Sequence, residues 1–419
     1  MADIDVGDGD PAQFLTIGTP DEGPFTGVFD GNGKTISGLR RLRAYDSYVG
    51  LFGIVDGEDA QIKNVTLSGP QVHSETGRYI AALVGLLREG TVSNCHARAA
   101  DVSGMNFVGG LVGKSDQGSV TDCTISAVVG GTMRVGALIG QSYYGEVVRC
   151  RAVGEVRGLG ASWAIGGLIG ENSSGPLTEC RASCTVTGDT CVGGLAGDNP
   201  LAEVARCSAG GTVSGGSDVG GLLGRSNGGV ITDCYAAAEV TGEATTGGLV
   251  GRHGPSCYCY VYTPGLVSRC YAAGPVNGDA DAGGLIGLNE RSNTEDSFWD
   301  IQVTGCKNSD GGEGKTTSQM RDQATYEDAG WDIVAGDEKG PPLVWRLTAK
   351  AYPRLEWEGT AFDLNADRRV DWRDYAVLAR HWRQIDTGFW SSGVCITRDG
   401  IVDCDDLAEL AGAWLTGER

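Results

Sequence analysis

Residues 207–233 read CSAGGTVSGGSDVGGLLGRSNGGVITD, and the next residue is Cys234. Cys207, Ala209 and Val213 share one parity, at offsets 0, 2 and 6, which is strand alternation with a single buried face. Gly215 marks a turn, Val219 leads into Gly220-Gly221-Leu222-Leu223-Gly224, and Ile231 precedes Cys234 by three. No sustained 3.6-residue apolar period runs through the unit. It therefore supplies about three short strands joined by Gly-rich corners.

The same unit recurs on both sides. Cysteines fall at Cys95, Cys123, Cys150, Cys180, Cys207, Cys234 and Cys270, in steps of 28, 27, 30, 27, 27 and 36. The last Gly of a G-[GA]-L-x-G motif keeps the same beat at Gly113, Gly140, Gly170, Gly197, Gly224, Gly251 and Gly287. Degenerate copies precede them at Gly50-Leu51-Phe52-Gly53 and Ala82-Leu83-Val84-Gly85. A fixed period of about 27 residues marks stacked repeats. One coil cannot bury its inner face alone, but stacked coils bury it and pair their backbones. The chain is expected to be all-β: a parallel β-helix, right-handed by the chirality of such crossovers, with eight or nine coils over roughly 40 Å.

The seven in-register cysteines then form an internal ladder. Metal binding or disulfides are one reading and small buried side chains the other. Ladder neighbours point the same way at about 4.8 Å, which is unsuited to a relaxed bridge, so buried thiols are expected. Cys184/Cys191 and Cys257/Cys259 lie outside the ladder and are the better disulfide candidates.

Composition narrows the function classes. The chain of 419 residues holds 69 Gly and 12 Pro, without the collagen period. A formal charge of −21 disfavours nucleic acid and anionic membrane surfaces and suits an extracellular, cation-binding protein. No apolar run is long enough to span a membrane. No signal peptide is visible after Met1, and the natural start is expected upstream.

Phe25-Thr26-Gly27-Val28-Phe29-Asp30-Gly31-Asn32-Gly33-Lys34-Thr35-Ile36, with Tyr48-Val49-Gly50-Leu51-Phe52-Gly53 after it, resembles bacterial GLUG-repeat proteins. The repeats match the GLUG motif. Ser297-Phe298-Trp299-Asp300, Gly314-Lys315-Thr316-Thr317 and Tyr352-Pro353-Arg354-Leu355 resemble the segment beyond the last repeat in such proteins. The resemblance reaches Glu358. It implies a surface protein, an adhesin or a repeat region attached to an IgA-specific metallopeptidase, and makes Ala2–Asp5 an interior strand.

Beyond Glu358 the character changes. Residues 362–383 and 394–415 match at an offset of 32, with Asp367, Asp371 and Asp374 against Asp399, Asp403 and Asp406. Asp363, Asn365, Asp367, Asp371 and Asp374 occupy loop positions one, three, five, nine and twelve, and Arg369 at seven supplies a backbone carbonyl. Alternating oxygen ligands of this kind suit Ca²⁺. The second loop offers Asp399, the Ile401 carbonyl, Asp403 and Asp406, with Cys395 and Thr397 where the first has Asp363 and Asn365. The duplication and the Asp at position twelve resemble dockerin type I modules, which implies a cohesin-like docking partner. Arg368 departs from the usual Gly, and the recognition positions Trp372-Arg373 and Cys404-Asp405 depart from common pairs. A Cys395–Cys404 disulfide is a further expectation.

Other motifs lead nowhere. Gly224-Arg225-Ser226-Asn227-Gly228 has the string of a nucleophile elbow but sits at a repeat corner, in a chain with four His. Gly311–Thr316 lacks the first Gly of a phosphate loop, and no clear helix signal comes after it. H-E-x-x-H is absent. Asp3, Asp5, Asp8 and Asp10 read as solvated surface before a cation site. Trp331, Trp345, Tyr352 and Trp357 read as a cap on the last coil, with a sugar platform as the alternative.

Four regions result: 1–48 as N-terminal capping strands, 49–299 as the solenoid, 300–358 as its cap, and 359–419 as the calcium module. The expected function is non-enzymatic: a secreted rod that binds a surface, polysaccharide or partner, with calcium-dependent docking. The alternatives are a polysaccharide-degrading enzyme or accessory subunit, with its cleft in the insertions around Ser162, 253–264 or 307–316, and a filament made by end-to-end self-association.

Overall fold

The computed structural model describes residues 3–6, 16–42, 47–258, 261–278, 282–335, 344–347 and 351–358. The chain divides into two compact units, 1–314 and 315–419. In the first, nine coils stack in parallel. A nine-stranded sheet runs from Phe52–Val55 through Val84–Leu87, Val112–Asp116, Ile139–Tyr143, Ile169–Ser173, Ala196–Pro200, Leu223–Asn227 and Val250–Gly254 to Ile286–Asn289. A second, larger parallel sheet wraps the remaining sides of each coil. The expected parallel β-solenoid is what the chain forms.

Each coil turns three corners, and non-glycine residues in the left-handed region make most of them. The first row includes Asn64, Asn94, Asp122, Arg149, Glu179, Arg206, Asp233, Arg269 and Asp296, each one residue before the ladder cysteine or its equivalent. The second is Tyr48, Tyr79, Phe107, Arg134, Ala164, Cys191, Asp218 and Thr245. The third includes Gln117, Tyr144, Ser174 and Leu201. That backbone costs roughly 1–2 kcal/mol per L-residue. Coil-to-coil hydrogen bonds hold it there, as when the Asp122 N–H donates to the Val148 carbonyl at 3.0 Å.

The Gly-Gly-Leu-x-Gly motif has a steric cause at its second Gly. A Cβ on Gly221 would collide with the Gly248 carbonyl of the next coil and sit 3.0 Å from the Ala236 Cβ across the core. The core is correspondingly narrow. Its row Ala152, Ala182, Ala209, Ala236 and Ala272 ends at Trp299, in register with Ala272. The indole lies over Gly284 and donates to the Cys306 carbonyl at 3.1 Å. Residues 308–310 then pair with the last coil, the Gly284 N–H donating to the Asn308 carbonyl at 3.0 Å. Trp299 thus closes the apolar end within the first unit. Trp331 and Trp345 belong to the second unit, where they pack 4.8 Å apart and Tyr326 lies 4.8 Å from Trp331. A helix does come after Gly311–Thr316: Thr317–Met320, started by a Thr316/Gln319 capping box whose T-x-x-Q signal is present in the sequence.

The ladder cysteines are buried free thiols. They are more than small fillers. The Cys180 N–H donates to the Cys207 Sγ at 3.4 Å, and the Cys207 N–H to the Cys234 Sγ at 3.3 Å. Each Sγ in turn reaches the carbonyl two residues back, as Cys207 does at 3.3 Å to Ala205. At the end of the ladder Ser297 Oγ takes over, accepting from the Cys270 N–H at 3.1 Å and donating to the Glu295 carbonyl at 2.7 Å. Cys184 and Cys191 form no disulfide. Cys184 lies inside the sheet with its Sγ 3.3 Å from the Gly167 carbonyl, while Cys191 sits at the second corner, 4.0 Å from Asp218 Oδ2. Burial pushes the Cys184 thiol up to about 12. For Cys257/Cys259 and Cys395/Cys404 the expectation concerns side chains outside the described residues.

Replacing Cys207 by Ala should cost about 1–3 kcal/mol, because the buried Cys180 N–H loses its acceptor. Cys207→Ser should cost less than half as much, as Ser297 already plays that part. Equal losses in urea melts of the two variants would reduce the thiol to a space-filler.

Candidate binding face

The residue after each closing Gly points outward from the nine-stranded sheet. Lys114, Gln141, Glu171, Asp198, Arg225 and Arg252 take the same rung position on six successive coils. The row places two carboxylates side by side; Arg134 from the neighbouring corner neutralises one and Arg225 from the row itself the other. Glu171 accepts from Arg134 Nε at 2.7 Å, Gln141 Nε2 at 2.7 Å and Ser173 Oγ at 2.5 Å. Arg225 forks onto Asp198 at 2.9 and 2.8 Å. Arg252 reaches Asp218 at 3.1 Å and Glu290 at 3.3 Å, and Thr245 Oγ1 donates to Asp218 at 2.9 Å. Burial raises the Asp198 carboxyl above its ordinary range, while its hydrogen bonds raise the Arg225 guanidinium.

Rings line the second corner. Tyr48, Tyr79 and Phe107 stack at 4.8 and 4.9 Å. The Arg134 guanidinium lies 5.1 Å from Phe107 and 4.9 Å from Trp163, and Arg225 is 5.7 Å from Trp163. These are cation–π distances. The faces of the stacked rings are turned to one another, so the row packs the corner.

Glu171 and Asp198 are buried, and each of their oxygens already accepts a hydrogen bond, so the pair is ill placed for proton transfer to a substrate. Among the described residues no group of three His, Cys, Asp or Glu is placed to hold a metal ion. No described helix is long and apolar enough to cross a membrane.

The expected calcium ligands, Asp363, Asn365, Asp367, Arg369, Asp371, Asp374, Asp399, Ile401, Asp403 and Asp406, all lie outside the described residues. So do Asp8 and Asp10, while Asp3 accepts from the Thr35 N–H at 2.9 Å. The three insertions weighed as walls of a cleft do not converge. Ser162 is buried near the second corner and accepts from the Asp189 N–H at 2.9 Å, His253 lies at the third, and 308–310 pair with the last coil. Ser226 is a buried strand residue and makes no nucleophile elbow. The outward row is not apparent as a motif in the sequence, although its signal is plain: it is the residue directly after the closing Gly of each repeat.

A second row points inward at the third corner: Ser115, Ser142, Asn172, Asn199, Ser226 and His253. Its early members brace the corner by donating to the carbonyl three residues on, as Ser115 does to Gly118 at 2.9 Å and Asn199 to Ala202 at 3.1 Å. At His253 the repeat is interrupted by the hairpin pairing Ser256–Tyr258 with Val261–Thr263. The imidazole is fully buried, its ring nitrogens approach only the backbone at Ser226 and Gly265 without a well-formed hydrogen bond, and burial pushes its pKa down to about 4.

The fold defines a class, the parallel β-solenoid proteins. No family model matches the chain. It is similar to halomucin of Haloquadratum walsbyi (strain DSM 16790 / HBSQ001), 37% identical over 121 residues. That match spans 29% of this chain and 1% of halomucin, a small fraction of the relative's length. Among solved structures it is similar to a Bacteroides ovatus protein provisionally assigned as an immunoglobulin A1 protease, at 16% identity and a TM-score of 0.40 over 85% of this chain and 84% of the other.

In the unfolded chain the His253 imidazole protonates near pH 6.5, in the folded one at about 4. Stability is therefore full above about pH 6.5 and falls as the pH drops towards 4. Between about pH 7 and pH 5 the loss should be roughly 2 kcal/mol. His253→Asn, which places in this row the side chain already used at Asn199, should remove that component from the pH dependence of urea melts. An unchanged pH profile would place the acid sensitivity elsewhere.

Proposed function

We propose that the chain is a secreted, non-catalytic adhesion or scaffold protein of the GLUG-repeat kind. Its solenoid binds an extended polysaccharide along the nine-stranded face, and residues 359–419 form a calcium-dependent module that docks a cohesin-like or other partner protein. One observation carries the first part. A polar or charged side chain recurs at the same rung of six successive coils, with Lys114, Arg225 and Arg252 partly exposed and Gln141, Glu171 and Asp198 buried beside them as their fixed support. A partner that repeats along one direction can meet such a row many times, and weak contacts then add. The absence of a free carboxylate pair on this face favours binding over cleavage. The calcium part rests on the duplicated loops around Asp363 and Asp399.

Affinity electrophoresis through gels containing dextran, laminarin, glucomannan or polygalacturonate tests the first part. Retardation of the whole chain by at least one polysaccharide is expected, and free migration in all four would remove the glycan reading. Calorimetric titration with calcium tests the second. Heat of binding should appear with the whole chain and be largely lost in Asp363→Ala/Asp367→Ala. Calcium binding unaffected by both substitutions would move the metal out of the first loop.

A further inference from the structure

Tyr143 and Tyr144 are the aromatic side chains exposed to solvent among the described residues, at 39% and 58%. They lie together where the strand Ile139–Tyr143 meets the third corner, with ring centroids 4.5 Å apart and planes at 78°. Tyr144 is held at a φ of 53°, in a corner row that otherwise offers Gln117, Ser174 and Leu201. A bulky ring in left-handed backbone is a costly choice, and the edge-to-face contact with Tyr143 returns only part of it while most of the Tyr144 ring surface stays in water. Tyr48 and Tyr79 share that backbone but stack on each other. An exposed pair of rings held in place by a strained corner is a candidate for a use outside the fold.

The surroundings have the polar partners that a ligand on these rings would need. Lys114 Nζ lies 5.3 Å from the Tyr143 ring centroid and 3.0 Å from Asp116 Oδ2. Asp116 and Ser173 flank Tyr143 on the rungs before and after it, and the Gln117 N–H donates to the Tyr143 carbonyl at 2.8 Å. Apolar ring faces beside a fixed acceptor and donor fit a pyranose, which has C–H faces and an equatorial belt of hydroxyls. Lys114 is already neutralised by Asp116, and the chain carries −21, so an anionic sugar would meet net repulsion.

We infer that Tyr143, Tyr144, Lys114 and Asp116 form a subsite for one sugar residue of a neutral polysaccharide. The inference rests on the reading of the nine-stranded face as a glycan-binding surface and places its strongest contact on the third to fifth coils.

The test uses the whole chain in affinity electrophoresis, with dextran, laminarin and glucomannan as neutral probes and polygalacturonate as the anionic one. The wild type should be retarded by at least one neutral glycan, and Tyr143→Ala/Tyr144→Ala should weaken that binding about tenfold or more with an unchanged melting temperature. Tyr144→Gly separates function from fold: it should raise the melting temperature by relieving the left-handed strain while weakening binding. Neutral-glycan binding that survives the double substitution would overturn the subsite and leave the face as a binding surface. Retardation by polygalacturonate alone would overturn the choice of a neutral ligand, and no retardation by any probe would overturn both readings together.

Discussion

A coil of this protein can satisfy its backbone only with the coil above and the coil below, at a spacing of roughly 4.8 Å. Everything else is indexed to that pairing. It forbids a Cβ at Gly221, because the next coil's carbonyl already stands there. It holds tyrosine, arginine and aspartate in left-handed corners that would relax to other conformations in an isolated coil. It also explains the cysteines. From Cys150 to Cys234 the cysteine N–H is aimed along the axis, and the thiol carried by the next coil accepts it. Sulfur is large enough to reach that N–H and apolar enough to stay in a narrow core lined by alanine.

Pairing of this kind has no natural end, so the last coil has to be closed by other means. Trp299 substitutes for the alanine of earlier coils, and residues 308–310 cover the open strand edge beside it. The first coils carry their own bulk, with Phe25 and Phe29 packed at 5.0 and 5.3 Å on Phe52.

Much of this is legible in the sequence. The 27-residue beat predicts the parallel solenoid, its coil count and the buried ladder because a stacked repeat must place equal residues in equal environments. The features that escape it are set by neighbours at unequal sequence distance. Cys184 and Cys191 are close along the chain, yet one faces inward and the other occupies a corner. The Trp299 cap is invisible until Ala272 is seen beneath it. The outward row from Lys114 to Arg252 escapes for a simpler reason: its members differ in charge and size, so the eye finds no motif, although their position after the closing Gly is constant.

The first corner carries a consequence for how such a chain can change length. Its row alternates in sign: Asp122 binds Arg149 at 2.6 and 2.8 Å, Glu179 pairs with Arg206 at 3.2 Å, and Asp233 with Arg269 at 2.8 Å, before Asp296. Loss of the single coil bearing Arg206 would bring Glu179 and Asp233 onto neighbouring rungs, like against like. Loss of the two coils bearing Glu179 and Arg206 would set Arg149 beside Asp233 and keep the alternation. Over these coils the alternation of charge at the corner therefore survives the gain or loss of two coils and is broken by one, at the modest cost of an exposed ion pair.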